Sequence, residues 1–118
     1  MITIVDDDPL VRDATVDLIS SLGYSAIAFE SAERFLDSGY VANTSCLIMD
    51  QQLPGLSGAE LQKQLHDDGY RTPVIFITAY PEEKLRALAL NAGAVAYLTK
   101  PFAEADLIDS IRTALHGH

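Results

Sequence analysis

Cys46-Leu47-Ile48-Met49-Asp50-Gln51-Gln52-Leu53-Pro54-Gly55 reads as a short apolar strand that ends in a carboxylate and breaks into a turn. The run has no polar/apolar alternation, so it is expected to be covered on both faces, as strands of a parallel sheet are. Other apolar runs also end in chemistry. Ile2-Thr3-Ile4-Val5 runs into Asp6-Asp7-Asp8, and Val74-Ile75-Phe76-Ile77 runs into Thr78-Ala79. Ala94-Val95-Ala96-Tyr97-Leu98 leads through Thr99 into Lys100-Pro101. Laid parallel, these strands bring carboxylates, a hydroxyl and an ammonium to one edge. Such a set suits a divalent cation, which prefers hard oxygen ligands, together with a phosphoryl group.

Working outward, the pattern alternates strand and helix. Strands are expected at Ile2–Val5, Ser25–Phe29, Ser45–Met49, Pro73–Ile77 and Val95–Leu98. Leu10, Val11, Ala14, Leu18, Ile19 and Leu22 have helical spacing, with Gly23 as a stop. Asp8-Pro9 reads as an N-cap followed by proline at the first helical position. A second helix is expected over Ala32–Asp37, and Ser57-Gly58-Ala59-Glu60 has the spacing of a capping box for a third, which carries Leu61 and Leu65. Pro81-Glu82-Glu83 is expected in the first turn of a fourth, ended by Ala92-Gly93. Leu107, Ile108, Ile111 and Leu115 give a fifth its buried stripe, and Leu115-His116-Gly117-His118 is placed at the point where that helix stops. The fold class that follows is α/β: a five-stranded parallel sheet with helices on both faces, a (βα)5 arrangement. A sheet of this kind binds its ligand outside the carboxyl ends of its strands.

The chain has 118 residues, 48% of them hydrophobic, which suits a single folded domain over 1–118. Its net charge of −9 opposes direct binding to nucleic acid, which needs a basic face. The lone Cys46 excludes an internal disulfide and, inside an apolar run, reads as a small buried hydrophobe rather than a reactive thiol. No apolar run approaches a membrane span, and the first strand begins almost at Met1, so a cytoplasmic setting is the expectation. His66, His116 and His118 have no metal-ligand spacing and are expected at the surface.

Each candidate site residue has an ordinary alternative. Asp6 and Asp7 are either metal ligands or plain loop residues, whereas Asp8 is assigned to the helix cap. Asp50 is either a turn residue or a nucleophile, because a carboxylate beside a cation can attack phosphorus and form an acyl phosphate. Thr78 is either a β-branched strand end or a donor to a phosphoryl oxygen, with small Ala79 leaving room for that group. Lys100 is either solvated or the counter-charge of the site. The Lys100–Pro101 bond is a candidate for cis, in a tight turn that aims the lysine at the site.

The chain resembles the receiver domain of two-component response regulators over essentially its whole length. The resemblance rests on Ile4-Val5-Asp6-Asp7-Asp8-Pro9-Leu10-Val11-Arg12, on Leu47-Ile48-Met49-Asp50 with Leu53-Pro54-Gly55-Leu56-Ser57-Gly58, on Val74-Ile75-Phe76-Ile77-Thr78-Ala79, and on Gly93-Ala94-Val95-Ala96-Tyr97-Leu98-Thr99-Lys100-Pro101-Phe102. It implies a flavodoxin-like receiver fold and a phosphorylation-driven switch. Asp50 would take a phosphoryl group from a phosphohistidine on a sensor histidine kinase. Asp7 and Asp50 would ligate Mg²⁺ with the backbone carbonyl of Gln52, and Asp6 would act mainly through water. Thr78 and Lys100 would hold phosphoryl oxygens. Tyr97 would be the switch aromatic, turning inward as Thr78 moves and reshaping the face made by the fourth helix, fifth strand and fifth helix. That change would alter partner contacts or drive a homodimer. The wording around Asp-Asp-Asp-Pro and Lys-Pro-Phe is most similar to receivers of the LuxR/FixJ type, which carry a helix-turn-helix DNA-binding output; no such domain lies within these residues. Gln52 and Tyr80 stand at positions that border the path of the hydrolytic water in this family. Bulky Tyr80 is expected to restrict that water and prolong the phosphorylated state.

Three other readings compete. A Mg²⁺-dependent phosphatase with an aspartyl nucleophile shares the chemistry, but its Asp-x-Asp-x-Thr/Val pattern follows the first strand, and here Leu10 takes the last place. A flavodoxin-like electron carrier would need a phosphate-binding loop where Asp6-Asp7-Asp8 would repel a flavin phosphate. A receiver-like scaffold that binds partners without phosphorylation would not need the full set of Asp6, Asp7, Asp50, Thr78 and Lys100. A signalling module rather than an enzyme with turnover is the reading taken.

Overall fold

The apolar runs form one sheet. In the computed structural model, which describes residues 1–116, the strands are β1 (Ile2–Val5), β2 (Ala26–Phe29), β3 (Cys46–Asp50), β4 (Val74–Thr78) and β5 (Ala96–Thr99). They pair in parallel in the order β2-β1-β3-β4-β5. Between and after them come α1 (Pro9–Ser21), α2 (Ala32–Asp37), α3 (Gly58–Asp67), α4 (Glu83–Asn91) and α5 (Glu104–His116).

Continuous apolar character has the expected cause: the central strands β1, β3 and β4 are buried along their whole length. Alternate residues feed two cores. Leu47, Met49, Val74 and Phe76 pack with Phe35, Leu61, Leu65 and Ala89 on one face. Cys46, Ile48, Ile75 and Ile77 pack with Ile19, Leu107 and Ile111 on the other. The edge strands β2 and β5 are only partly buried.

The ladder extends further toward the carboxyl ends than the sequence suggests. Asp50 pairs with Ile77 and Thr78 with Thr99, so Asp50, Thr78 and Thr99 are the last residues of their strands and not the first of the loops. At the other ends Ser25, Ser45, Pro73 and Val95 fall outside the strands. Pro73 has no N–H to give and contributes only its carbonyl, which accepts the Leu47 N–H.

Helix starts follow their caps. The Asp8 side chain accepts the Leu10 N–H with Pro9 in the first turn, and Ser57 and Glu60 make the reciprocal capping box. Three expectations are corrected. Leu10 is 78% exposed and Ala14 is exposed too, because the stripe of α1 that meets the sheet runs through Val11, Thr15, Leu18 and Ile19. α4 begins at Glu83, since Glu82 is still extended and serves as a cap without a side-chain bond, which leaves Pro81 outside the helix. α5 runs through Leu115 and His116, its buried residues being Leu107, Ile111 and Ala114, while Ile108 and Leu115 are half-buried. His66 and His116 are exposed, and His118 lies outside the described residues. Among the described residues no helix is long and apolar enough to cross a membrane.

Candidate functional site

The register of β1 and β3 sets the centre of the site. Val5 pairs with Met49, so the residues that follow, Asp6 and Asp50, stand side by side at the carboxyl edge. Asp6 is fully buried and Asp50 is 6% exposed, whereas Asp7 is exposed. The three carboxylates each present an oxygen within 4.8 Å of the others. Backbone amides orient two of them: Asp8 N–H donates to Asp6 Oδ1 at 2.9 Å, and Gln52 N–H donates to Asp50 Oδ1 at 2.8 Å.

Lys100 arrives from the loop after β5. Its Nζ donates to Asp6 Oδ2 at 2.8 Å and to Asp50 Oδ2 at 2.7 Å. Its backbone N–H donates to the Thr78 carbonyl at 2.7 Å, and the Lys100–Pro101 bond is cis. Burial alone would pull the ammonium down, but the bonds to Asp50 and Asp6 outweigh it and hold Lys100 above its ordinary range. Burial pushes Asp6 up, against the hydrogen bonds of Lys100 and the Asp8 amide.

The charge count tests the fit for a cation. Three carboxylates face one ammonium, which leaves an excess of negative charge in a partly dry site. All the ligand atoms are hard oxygens, from the loop after β1 and the end of β3, with Asp7 exposed and the other two oriented by backbone amides. This donor set suits Mg²⁺, which binds through one or two carboxylates and keeps several waters. Among the described residues no other group of three or more potential ligands stands together, and none includes a histidine.

The remaining expected residues are placed as follows. Thr78 is buried at the end of β4, and its Oγ1 accepts the Tyr80 N–H at 3.0 Å, so the hydroxyl proton is free to be given elsewhere. Thr78 makes no side-chain bond to Asp50 or Lys100. The Gln52 side chain is exposed, and its backbone N–H is the group that donates to Asp50. Tyr80 is 68% exposed. Tyr97 is half-buried against Phe76, with ring centroids 6.4 Å apart. Its hydroxyl donates to Gln51 Oε1 and accepts the Glu82 N–H at 3.4 Å.

Three supporting residues escape a reading of the sequence. Arg12 Nη1 donates to the Asp6 carbonyl at 2.8 Å and braces the first acidic loop from α1. Glu33 on α2 accepts the Leu56 N–H at 2.9 Å and holds the loop that follows Asp50. Gln51 is buried beside Asp50 and bonds Tyr97. Only Gln51 carries a local signal, as an uncharged amide directly after an otherwise apolar strand.

Known proteins are similar to this chain along nearly its whole length. The family model for the response regulator receiver domain matches residues 2–112. The response regulator protein TmoT of Ectopseudomonas mendocina is 42% identical over 116 residues, which are 98% of this chain and 52% of the relative. The transcriptional regulatory protein FixJ of Azorhizobium caulinodans is 36% identical over 112 residues, 95% of this chain and 53% of the relative. The crystal structure of a response regulator receiver protein from Burkholderia phymatum is 38% identical, with a TM-score of 0.83 over 99% of this chain and 95% of that one. The chain spans about half the length of the curated relatives it matches.

Proposed function

The chain belongs to the response regulator receiver domain family of two-component systems, and from that premise we propose that Asp50 is its phosphoacceptor. The observation that carries the reading is the Lys100 ammonium bridging the two buried carboxylates Asp6 and Asp50, with Asp7 alongside. In this reading one Asp50 oxygen attacks phosphorus on a phosphohistidine of a sensor kinase. The P–N bond breaks, its electron pair stays on the imidazole nitrogen, which takes up a proton, and an acyl phosphate remains on Asp50.

Asp7, Asp50 and the Gln52 carbonyl would hold Mg²⁺, with Asp6 contributing through water. The ion would neutralise charge on the phosphoryl oxygens, which with positioning is most of what this transfer asks. Lys100, freed from Asp50 when that carboxylate is esterified, turns to a phosphoryl oxygen. The unused proton of Thr78 supplies a second donor to it. Tyr97 then reports the state of the site to α4, β5 and α5, the face proposed to meet a partner or a second copy.

An open groove of about 520 Å³ beside Lys100, lined by Leu10, Val11, Ala14, Ala79, Pro101 and Phe102, supports contact with a kinase. It also accounts for the exposure of Leu10, which the packing of α1 does not use. The FixJ relative is a transcriptional regulatory protein; we infer that the reader of this switch is a DNA-binding output and that the module works in the cytoplasm. A phosphatase with its nucleophile on the first loop is disfavoured, because the Asp8 side chain is occupied in capping α1.

The test is uptake of one phosphoryl group from acetyl phosphate with Mg²⁺, read by intact mass. Uptake is expected in the native chain and lost in Asp50→Asn and on chelation of the metal. Uptake that persists in Asp50→Asn would overturn the assignment.

A further inference from the structure

Gln51 connects the acidic edge to the far side of the sheet. It follows Asp50 directly and is only 7% exposed. Its Oε1 accepts the Tyr97 hydroxyl, and that hydroxyl accepts the N–H of Glu82, the cap residue of α4. Two hydrogen bonds thus run from the neighbour of Asp50, past β4, to the cap residue of α4. The other end of the amide is unusual. Gln51 Nε2 is, among the described residues, the buried side-chain polar atom that has no partner.

A buried donor without a partner carries the full cost of its lost hydration. A methionine of similar length would fill the same space without that cost. Packing therefore does not explain a glutamine here, but the bond to Tyr97 does. We propose that Gln51 is a positioning residue, a latch that holds Tyr97 inward and so couples the start of α4 to the state of Asp50. The proposal rests on the phosphorylation reading for its consequence, though not for the latch itself. One bond on one half of an amide is easily broken, which suits a two-state element. A latch that favours inward Tyr97 also favours whatever ligand state at Asp50 goes with it, and this coupling is reciprocal.

The test compares the native chain with Gln51→Met, Tyr97→Phe and the double variant. Three quantities are measured: the denaturant midpoint, hydrogen exchange at the Glu82 amide by NMR, and affinity for beryllofluoride with Mg²⁺. Gln51→Met is expected to keep or raise the midpoint, to speed Glu82 exchange and to weaken beryllofluoride about threefold to tenfold, the reach of one net hydrogen bond. Tyr97→Phe loses this bond and also the acceptor of the Glu82 N–H, so it should speed exchange at least as much and weaken affinity similarly. The double variant should add little to Tyr97→Phe, in which the Gln51 bond is already gone. Native exchange and affinity in Gln51→Met would overturn the proposal, as would full additivity in the double variant. Tyr97→Phe breaks the bond from its other side and keeps the affinity measurement readable if Gln51→Met folds poorly; its Glu82 exchange rises in any case, because the acceptor itself is removed. Failure of the native chain to bind beryllofluoride would overturn the phosphorylation reading and, with it, the coupling to Asp50, while Glu82 exchange would still decide whether the latch exists.

Discussion

Asp6 is fully buried, shares a single ammonium with Asp50, and is held above its ordinary range by that burial. A raised carboxyl favours folding while it is protonated, and that contribution is lost as the pH rises through its folded value. At neutral pH the Asp6 charge therefore works against the fold. Asp6→Asn is expected to raise stability at neutral pH, and the gain should shrink as the pH falls toward the ordinary carboxylate range. Urea unfolding at several pH values checks this; a lower midpoint for Asp6→Asn at neutral pH would show that its bonds to Lys100 and the Asp8 amide outweigh its burial. Cys46 makes a second case at this scale. Burial pushes its thiol up to about 12, so it stays neutral and closed off at physiological pH. A disulfide reagent should label it only at the rate of unfolding, and rapid labelling in native buffer would contradict the packing. The neutral thiol supports the fold below about pH 9 and ceases to as the pH rises from there toward 12, because the unfolded chain deprotonates first.

Among the elements, the start of α3 packs directly against the residues around Asp50. The Gly58 N–H donates to the Gln51 carbonyl at 3.2 Å, and a Cβ on Gly58 would stand 2.7 Å from the Asp50 carbonyl oxygen and 2.9 Å from the Phe76 ring. Alanine gains about 1 kcal/mol over glycine in an open helix, but here it meets backbone that cannot give way. Gly58→Ala is expected to destabilise by about 1–3 kcal/mol net of that gain, with a lowered thermal midpoint as the readout; a neutral result would mean that the loop after Asp50 is free to shift. This element also shows what the sequence could reveal. The Ser57–Glu60 capping box marks the start of α3 because a cap is local chemistry, read from residues three apart. The start of α4 is not legible in the sequence, because Pro81 imitates a first-turn proline while Glu82 remains extended. The exposure of Leu10 is not legible either, because helical spacing does not tell which of two adjoining stripes faces the sheet. Asp6, Asp50 and Lys100 were legible since parallel strands gather their carboxyl ends by construction. Arg12, Glu33 and Gln51 were not, because their partners lie on backbone atoms or on strands far away in sequence.

For the molecule as a whole, the balance is a net charge of −9 with three carboxylates concentrated at one edge of the sheet. Self-repulsion of that kind works against the compact state, and the three carboxylates of the site add to it at close range. A divalent cation held by Asp7 and Asp50 should therefore stabilise the entire fold, because the unfolded chain does not gather the same ligands. A ligand at a hundred times its dissociation constant adds about 2.7 kcal/mol, an ample shift in thermal midpoint for a domain this size. Mg²⁺ is expected to raise the midpoint in a saturable way, whereas a monovalent salt at matched ionic strength should give only the small, unsaturable change of general screening. Asp7→Asn and Asp50→Asn should each abolish the saturable part while raising the metal-free midpoint, since each removes one of the repelling charges. The same two variants separate a bound ion from simple screening: a stabilisation by Mg²⁺ that survives both substitutions would place the ion elsewhere on the acidic surface and remove the cation from the site at Asp50.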